Sequence, residues 1–191
     1  MYEVELKLRA DHERVRERLE SLGATHVETV TQEDTYYDAP DREFAETDEA
    51  LRVRRESTAD GTARSFLTYK GPLVDVESKT RSEAETRVAD DDATDSILTG
   101  LGYEAAATVR KARERYELGE CTVTLDHVES LGEFVEVELE SEVAGDGAVA
   151  DVLEAPREQV RSVLRDLELD PDENIRTSYL GLLLAGEGSD F

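Results

Sequence analysis

Glu3, Glu5 and Lys7 occupy alternate positions of Glu3-Val4-Glu5-Leu6-Lys7-Leu8-Arg9, so in an extended strand two carboxylates and two cations share one face while Val4, Leu6 and Leu8 take the other. The same spacing recurs along the chain. Arg52 with Arg54, Thr68 with Lys70, and Lys111 with Arg113 and Arg115 place basic groups on one strand face. Arg81, Glu83, Glu85 and Arg87 line up together, Asp126 follows Thr122 and Thr124, and Glu136, Glu138 and Glu140 alternate with apolar residues. Cations crowded into one enclosed space repel by ~4 kcal/mol per close pair at an effective dielectric of about 20, unless a polyanion sits among them. A triphosphate would serve. Carboxylates on neighbouring strands would not bind that anion directly, but they suit Mg²⁺ or Mn²⁺, hard cations that take oxygen ligands. The combination points to metal-assisted phosphoryl or nucleotidyl transfer.

The two charge signs carry unequal weight. With 47 acidic and 22 basic residues and a net charge of -25, a Glu-x-Glu pair arises easily by chance, whereas basic pairs on strands are scarce. Arg14, Arg16 and Arg18 lie in a helical stretch, where positions two apart do not meet, and are expected to be solvated. Arg157, Arg161 and Arg165 form a surface stripe. His127 beside Asp126 reads as an ordinary strand residue, His12 and His26 are scattered without zinc spacing, and Gly100-Leu101-Gly102 reads as a helix stop rather than a phosphate loop.

The elements that must position these groups follow from periodicity. Asp11 can cap a helix over 11–22 with Val15, Leu19 and Leu22 on one side and Gly23 as its stop. Residues 26–37 are rich in β-branched and aromatic types, though their alternation is irregular, and they end in a turn at Asp38-Ala39-Pro40-Asp41. Strands follow at about 50–56, 64–70 and 81–88, then a helix over 91–101, then strands at about 106–118, 121–128 and 133–141. Gly145 to Gly147 interrupt the pattern. Two consecutive helices are expected next, the second opened by Pro156 at a first-turn position, and a last helix over 178–184. Many antiparallel strands with a few helices predict an α+β fold whose sheet closes on itself.

A polar sheet face can simply be wet. Against that, the helices need apolar sheet surface to cover, and the apolar parity supplies it around the outside; if the sheet closes, the charged face becomes the lumen. At 191 residues the chain fits one domain, 1–185, with a short tail at 186–191. Its net charge disfavours nucleic acid and anionic membrane surfaces as partners. Cys121 alone forms no intramolecular disulfide, and the apolar run near Tyr179 is too short to span a bilayer, which together suggest a cytoplasmic protein. The scarcity of lysine, found only at positions 7, 70, 79 and 111, and the dense acidic surface suggest a salt-adapted cell. In molar salt the Debye length falls to about 3 Å and self-repulsion is screened. The melting temperature should therefore rise between dilute buffer and molar KCl, and a value that does not move would remove this reading.

Glu3-x-Glu5-x-Lys7 resembles the N-terminal motif of the CYTH domains, the triphosphate tunnel metalloenzymes, which include class IV adenylyl cyclases and triphosphatases. The resemblance continues in order through Gln32-Glu33-Asp34-Thr35-Tyr36-Tyr37-Asp38, Leu51-Arg52-Val53-Arg54, Thr68-Tyr69-Lys70-Gly71-Pro72, Lys111-x-Arg113, Leu125-Asp126, Gly132-x-Phe134-x-Glu136-x-Glu138 and Ser178-Tyr179-Leu180. It implies a closed eight-stranded antiparallel β-barrel with helices packed outside. It also implies metal ligation by Glu3, Glu5, Glu136 and Glu138, helped by Asp126 and Glu85, and phosphate contacts from Lys7, Arg52, Arg54, Lys70, Lys111 and Arg113, with Lys7, Arg113 and Glu136 at the chemistry. The implied substrate is ATP or another triphosphate, with Mg²⁺ or Mn²⁺ as cofactor and a homodimer as the assembly. The expected activity is that of a class IV adenylyl cyclase, the alternatives being a triphosphatase or a non-enzymatic polyphosphate or nucleotide sensor.

Overall fold

A computed structural model describes residues 2–72, 81–141 and 149–187. Lys79, Gly145 to Gly147 and the last residues of the tail lie outside the described residues. Eight antiparallel strands close into a barrel: β1 (Tyr2–Arg9), β2 (Thr25–Asp38), β3 (Ala50–Thr58), β4 (Ala63–Lys70), β5 (Arg81–Val88), β6 (Glu104–Leu118), β7 (Cys121–Val128) and β8 (Gly132–Ser141). Around the barrel they run β1-β5-β4-β3-β2-β6-β7-β8. The helices α1 (His12–Ser21), α2 (Phe44–Thr47), α3 (Asp91–Gly100), α4 (Val149–Asp166) and α5 (Tyr179–Glu187) complete an α+β fold.

The alternation read from the sequence decides which side of each strand is wet. Val4, Leu6 and Leu8 of β1, Cys121, Val123 and Leu125 of β7, and Val135, Val137 and Leu139 of β8 pack outward against Val15 and Leu19 of α1 and Leu153, Val160 and Leu164 of α4. A smaller cluster of Tyr37, Leu51, Val53 and Leu98 seats α3 on β2 and β3. With the outer face committed to apolar packing, the charged parity of every strand turns into the lumen.

Local signals act where expected at α1, whose Asp11 side chain accepts from the Arg14 N–H at 3.1 Å. Gly23 follows with a positive φ of 75°, open to glycine at no steric cost. The irregular alternation of β2 has a physical cause: its pairing with β6 shifts register between His26 and Glu28, leaving Val27 as an extra, exposed residue. Beyond the shift Val30 pairs with Arg113 and takes the inward parity together with Gln32 and Asp34. An apolar residue thus interrupts an otherwise polar series.

Two expectations need correction. Residues 149–166 form one continuous helix with Pro156 inside it, not two helices. An interior proline costs about 3 kcal/mol, offset here by the buried stripe of Leu153, Val160, Leu164 and Leu167. Arg14, Arg16 and Arg18 are not merely solvated: Arg16 donates to Glu114 of β6 at 2.6 Å, Arg18 donates to the Asp166 carbonyl at 2.8 Å, and Arg14 faces Glu168 at 3.6 Å. They clip α1 to the barrel and to the end of α4. Among the described residues no helix is long and apolar enough to cross a membrane.

Candidate active site

The lumen encloses about 1350 Å³. On one wall β1 and β8 pair Glu5 with Glu138 and Lys7 with Glu136, which stacks acids and a base on adjacent inward positions. Carboxylate oxygens of Glu5, Glu136 and Glu138 come within 4.8 Å of one another. Three carboxylates so close cannot all ionise cheaply. Burial first, then the charges of Glu3, Glu136 and Glu5, push the Glu138 carboxyl up to about 8, against the pull of Arg113. Oxygen ligands on two neighbouring strands, crowded beyond what their own charges favour, suit a hard divalent cation.

Cations border this cluster. Lys7 approaches Glu136 at 3.8 Å, and Arg113 donates to Glu136 at 2.5 Å. Arg113 also forks onto Asp126 through Nε at 2.6 Å and Nη2 at 2.5 Å, with Lys111 at 3.4 Å from the same carboxylate. Across the lumen Arg54 forks onto Asp34 at 2.6 and 2.8 Å, and Arg52 reaches it at 3.5 Å. Burial alone would raise both aspartates, yet their guanidinium and ammonium neighbours hold Asp34 and Asp126 well below the usual carboxylate range. The Lys111 ammonium, by contrast, is pushed down to about 8 by burial and by Arg113.

The structure brings Lys7, Lys111, Arg54, Arg113, Glu5, Glu136 and Glu138 into one charged space, with Arg52 beside Asp34. Glu3 turns to Lys70, which donates to it at 2.9 Å and pairs with Glu83 at 2.7 Å. Glu85 does not join the carboxylate cluster: it is exposed and accepts from Thr68 at 2.8 Å. Nor does Asp126, both of whose oxygens are taken by Arg113. A family model, that of the CYTH domain, matches residues 1–179.

The chain belongs to the CYTH domain family.

It is 38% identical over 185 residues to a Methanocaldococcus jannaschii protein that carries a provisional adenylate cyclase name, covering 95% of this chain and 98% of that one. It is 32% identical over 111 residues to the adenylate cyclase CyaB of Aeromonas hydrophila, covering 58% of this chain and 53% of that one. Among solved structures, a Pyrococcus horikoshii protein superposes with a TM-score of 0.85 at 37% identity, covering 96% of this chain and 99% of the other. A Hippeastrum protein, whose structure is described as revealing a dominant triphosphatase activity, shares the fold with a TM-score of 0.64 at 18% identity, covering 96% of each chain.

This CYTH chain also holds polar groups to which the strand patterns alone assign no site role. Gln32, Asp34 and Glu56 are buried on inward positions of β2 and β3, Gln32 donating to Glu56, while Arg64 and Arg115 both meet Glu28. The parity of β2 placed Asp34 on the wet side, but the irregular alternation hid it. Glu83 was visible in the same row as Glu85, and nothing local distinguishes the two.

Proposed function

We propose that the chain is a metal-dependent enzyme that binds the triphosphate of ATP in the tunnel and forms cyclic AMP and pyrophosphate. The observation that carries this reading is the juxtaposition of the Glu5, Glu136 and Glu138 cluster with Lys7 and Arg113 inside a closed barrel. The M. jannaschii relative, matched over nearly its whole length, favours the cyclase over other triphosphate chemistry.

Glu5, Glu136 and Glu138, with Glu3 beside them, would hold Mg²⁺ or Mn²⁺; such an ion, when bound, supplies positive charge at phosphoryl oxygens. Lys7, Arg52, Arg54, Lys70, Lys111 and Arg113 grip the phosphates. In the proposed reaction the ATP 3′ hydroxyl gives up its proton to water, its oxygen forms a bond to the α-phosphorus, the bond from that phosphorus to the bridging oxygen breaks, and pyrophosphate leaves with its electron pair. The basic groups stabilise that departing charge, and the Asp34 and Asp126 carboxylates keep Arg54 and Arg113 oriented before substrate arrives.

Product identification tests the reading. The protein is incubated in high salt with Mg²⁺ or Mn²⁺ and either ATP or inorganic triphosphate, and the products are separated by anion exchange. Cyclic AMP with pyrophosphate is expected from ATP; orthophosphate from either substrate would assign a triphosphatase, and binding without turnover a sensor. Arg54→Ala should weaken binding of inorganic triphosphate by about tenfold or more. The same change should cost roughly 3 kcal/mol in urea unfolding, because Asp34 stays buried without its guanidinium fork, left with Arg52 at 3.5 Å and the weaker pull of Lys111. Unchanged affinity in a titration would take Arg54 out of the phosphate site.

A further inference from the structure

The backbone ties the C-terminal segment to the tunnel lysine. Lys7 donates its N–H to Asn174 Oδ1 at 3.0 Å, and its carbonyl accepts from the Ile175 N–H at 2.7 Å. A few residues on, Ser178 Oγ accepts from the Gly181 N–H at 3.0 Å and closes the first turn of α5. The turn is tight: a Cβ at 181 would lie 2.8 Å from Thr177 Cγ2, so a larger residue there would require the Thr177 side chain to shift. Tyr179 is thereby delivered into the lumen, where its ring meets Phe134 edge to face at 5.0 Å.

Two ammonium groups, one from β1 and one from β6, share that ring. Lys7 Nζ stands 4.4 Å and Lys111 Nζ 4.9 Å from its centroid, while the facing carboxylates are farther than hydrogen-bond range from Lys7 and at its edge for Lys111, at 3.8 and 3.4 Å. The negative ring face adds its attraction to these loose ion pairs for both. Tyr179 is 5% exposed, and its hydroxyl makes no hydrogen bond of ordinary geometry among the described residues, though it lies close enough to the Asp126 carboxylate to help depress it. A buried hydroxyl without a well-aligned acceptor costs free energy, and a phosphoryl oxygen entering the lumen would satisfy it. Burial first, and then the charges of Glu136 and Asp126, keep the phenol protonated by raising it well above the usual tyrosine value, so it has a proton to donate.

We propose that Tyr179 contacts the substrate and positions its lysines: the hydroxyl donates to an oxygen of the phosphoryl group held between Lys7 and Lys111, and the ring aims both ammoniums at it. This rests on the triphosphate reading above. The test is calorimetric titration of the full chain with inorganic triphosphate in the presence of Mg²⁺, comparing Tyr179→Phe and Tyr179→Leu with the unaltered protein, and checking melting temperatures. Loss of the hydroxyl should weaken binding about tenfold, and loss of the ring as well about a hundredfold, so that phenylalanine rescues part of what leucine loses. A purely structural role would lower the melting temperature and leave the affinity of the folded variants unchanged. Phenylalanine within about twofold of the unaltered protein overturns the hydroxyl contact, and leucine equal to phenylalanine overturns the platform. If the leucine variant does not fold, the phenylalanine variant decides the proposal alone. Failure of the unaltered protein to bind triphosphate would instead overturn the functional reading itself.

Discussion

Replacing Glu136 by glutamine is expected to reduce metal-dependent turnover by about a thousandfold, roughly 4 kcal/mol of transition-state stabilisation, while the barrel stays folded. Glu136 is the carboxylate at which the two charge sets meet: it lies within 4.8 Å of Glu5 and Glu138, accepts from Arg113 at 2.5 Å and faces Lys7 at 3.8 Å. Glutamine keeps the volume and one acceptor oxygen for Arg113 but removes the charge that a divalent cation requires. Folding should survive because the change also relieves repulsion within a crowded acidic cluster, and Arg113 retains its fork onto Asp126. The checks are product formation from ATP over a Mg²⁺ or Mn²⁺ series and the circular dichroism of the variant. Activity within about tenfold of the unaltered protein at low metal would remove Glu136 from the metal site.

Asp126→Ala should have the opposite signature, costing about 3–5 kcal/mol of stability. Asp126 is fully buried, Arg113 occupies both its oxygens and Lys111 lies 3.4 Å away, so alanine leaves two buried cations facing each other without their shared anion. The expected readout is a lower urea midpoint with an unchanged slope. The pH dependence follows from the same pairing. Burial opposes ionisation, but Arg113 and Lys111 depress the folded carboxyl below its unfolded value. The unfolded chain then binds more protons in the acid range, so this contribution is complete above the unfolded pKa of about 4 and is lost as pH falls towards the folded one. Asp126→Asn should accordingly flatten the acid limb of the stability curve. If Asp126 served instead as a metal ligand, its loss would weaken metal binding and leave metal-free stability nearly intact, and that result would refute the pairing argument.

The two predictions separate acids that the sequence could not. Asp126 and Glu136 both stand on inward positions of strands and both fall in motifs resembling the CYTH domains, which implies metal ligation for each. In the structure one is saturated by a guanidinium fork and the other sits among carboxylates. Glu83 and Glu85 repeat the lesson on β5, where Glu83 pairs with Lys70 and Glu85 remains exposed beside Thr68. Asp34 falls within the Gln32 to Asp38 motif but takes no site role from the sequence, because the shift at Val27 and the inward Val30 disturb the alternation that would have exposed it.

Alternation is local, and it was enough to decide much of this protein. Side chains two apart on a strand share a face wherever the strand lies, so the row of Glu3, Glu5 and Lys7 and the outward apolar parity were legible from the amino-acid order, while the closed barrel was implied by the resemblance to the CYTH domains. Partnership is not local. Which carboxylate neutralises which cation depends on register and on strands far apart in sequence, as between Lys70 and Glu3 or Arg113 and Asp126. Only closure of the sheet, and the tether of the α5 segment to β1, decided that Glu5, Glu136 and Glu138 converge and that Tyr179 lies between Lys7 and Lys111.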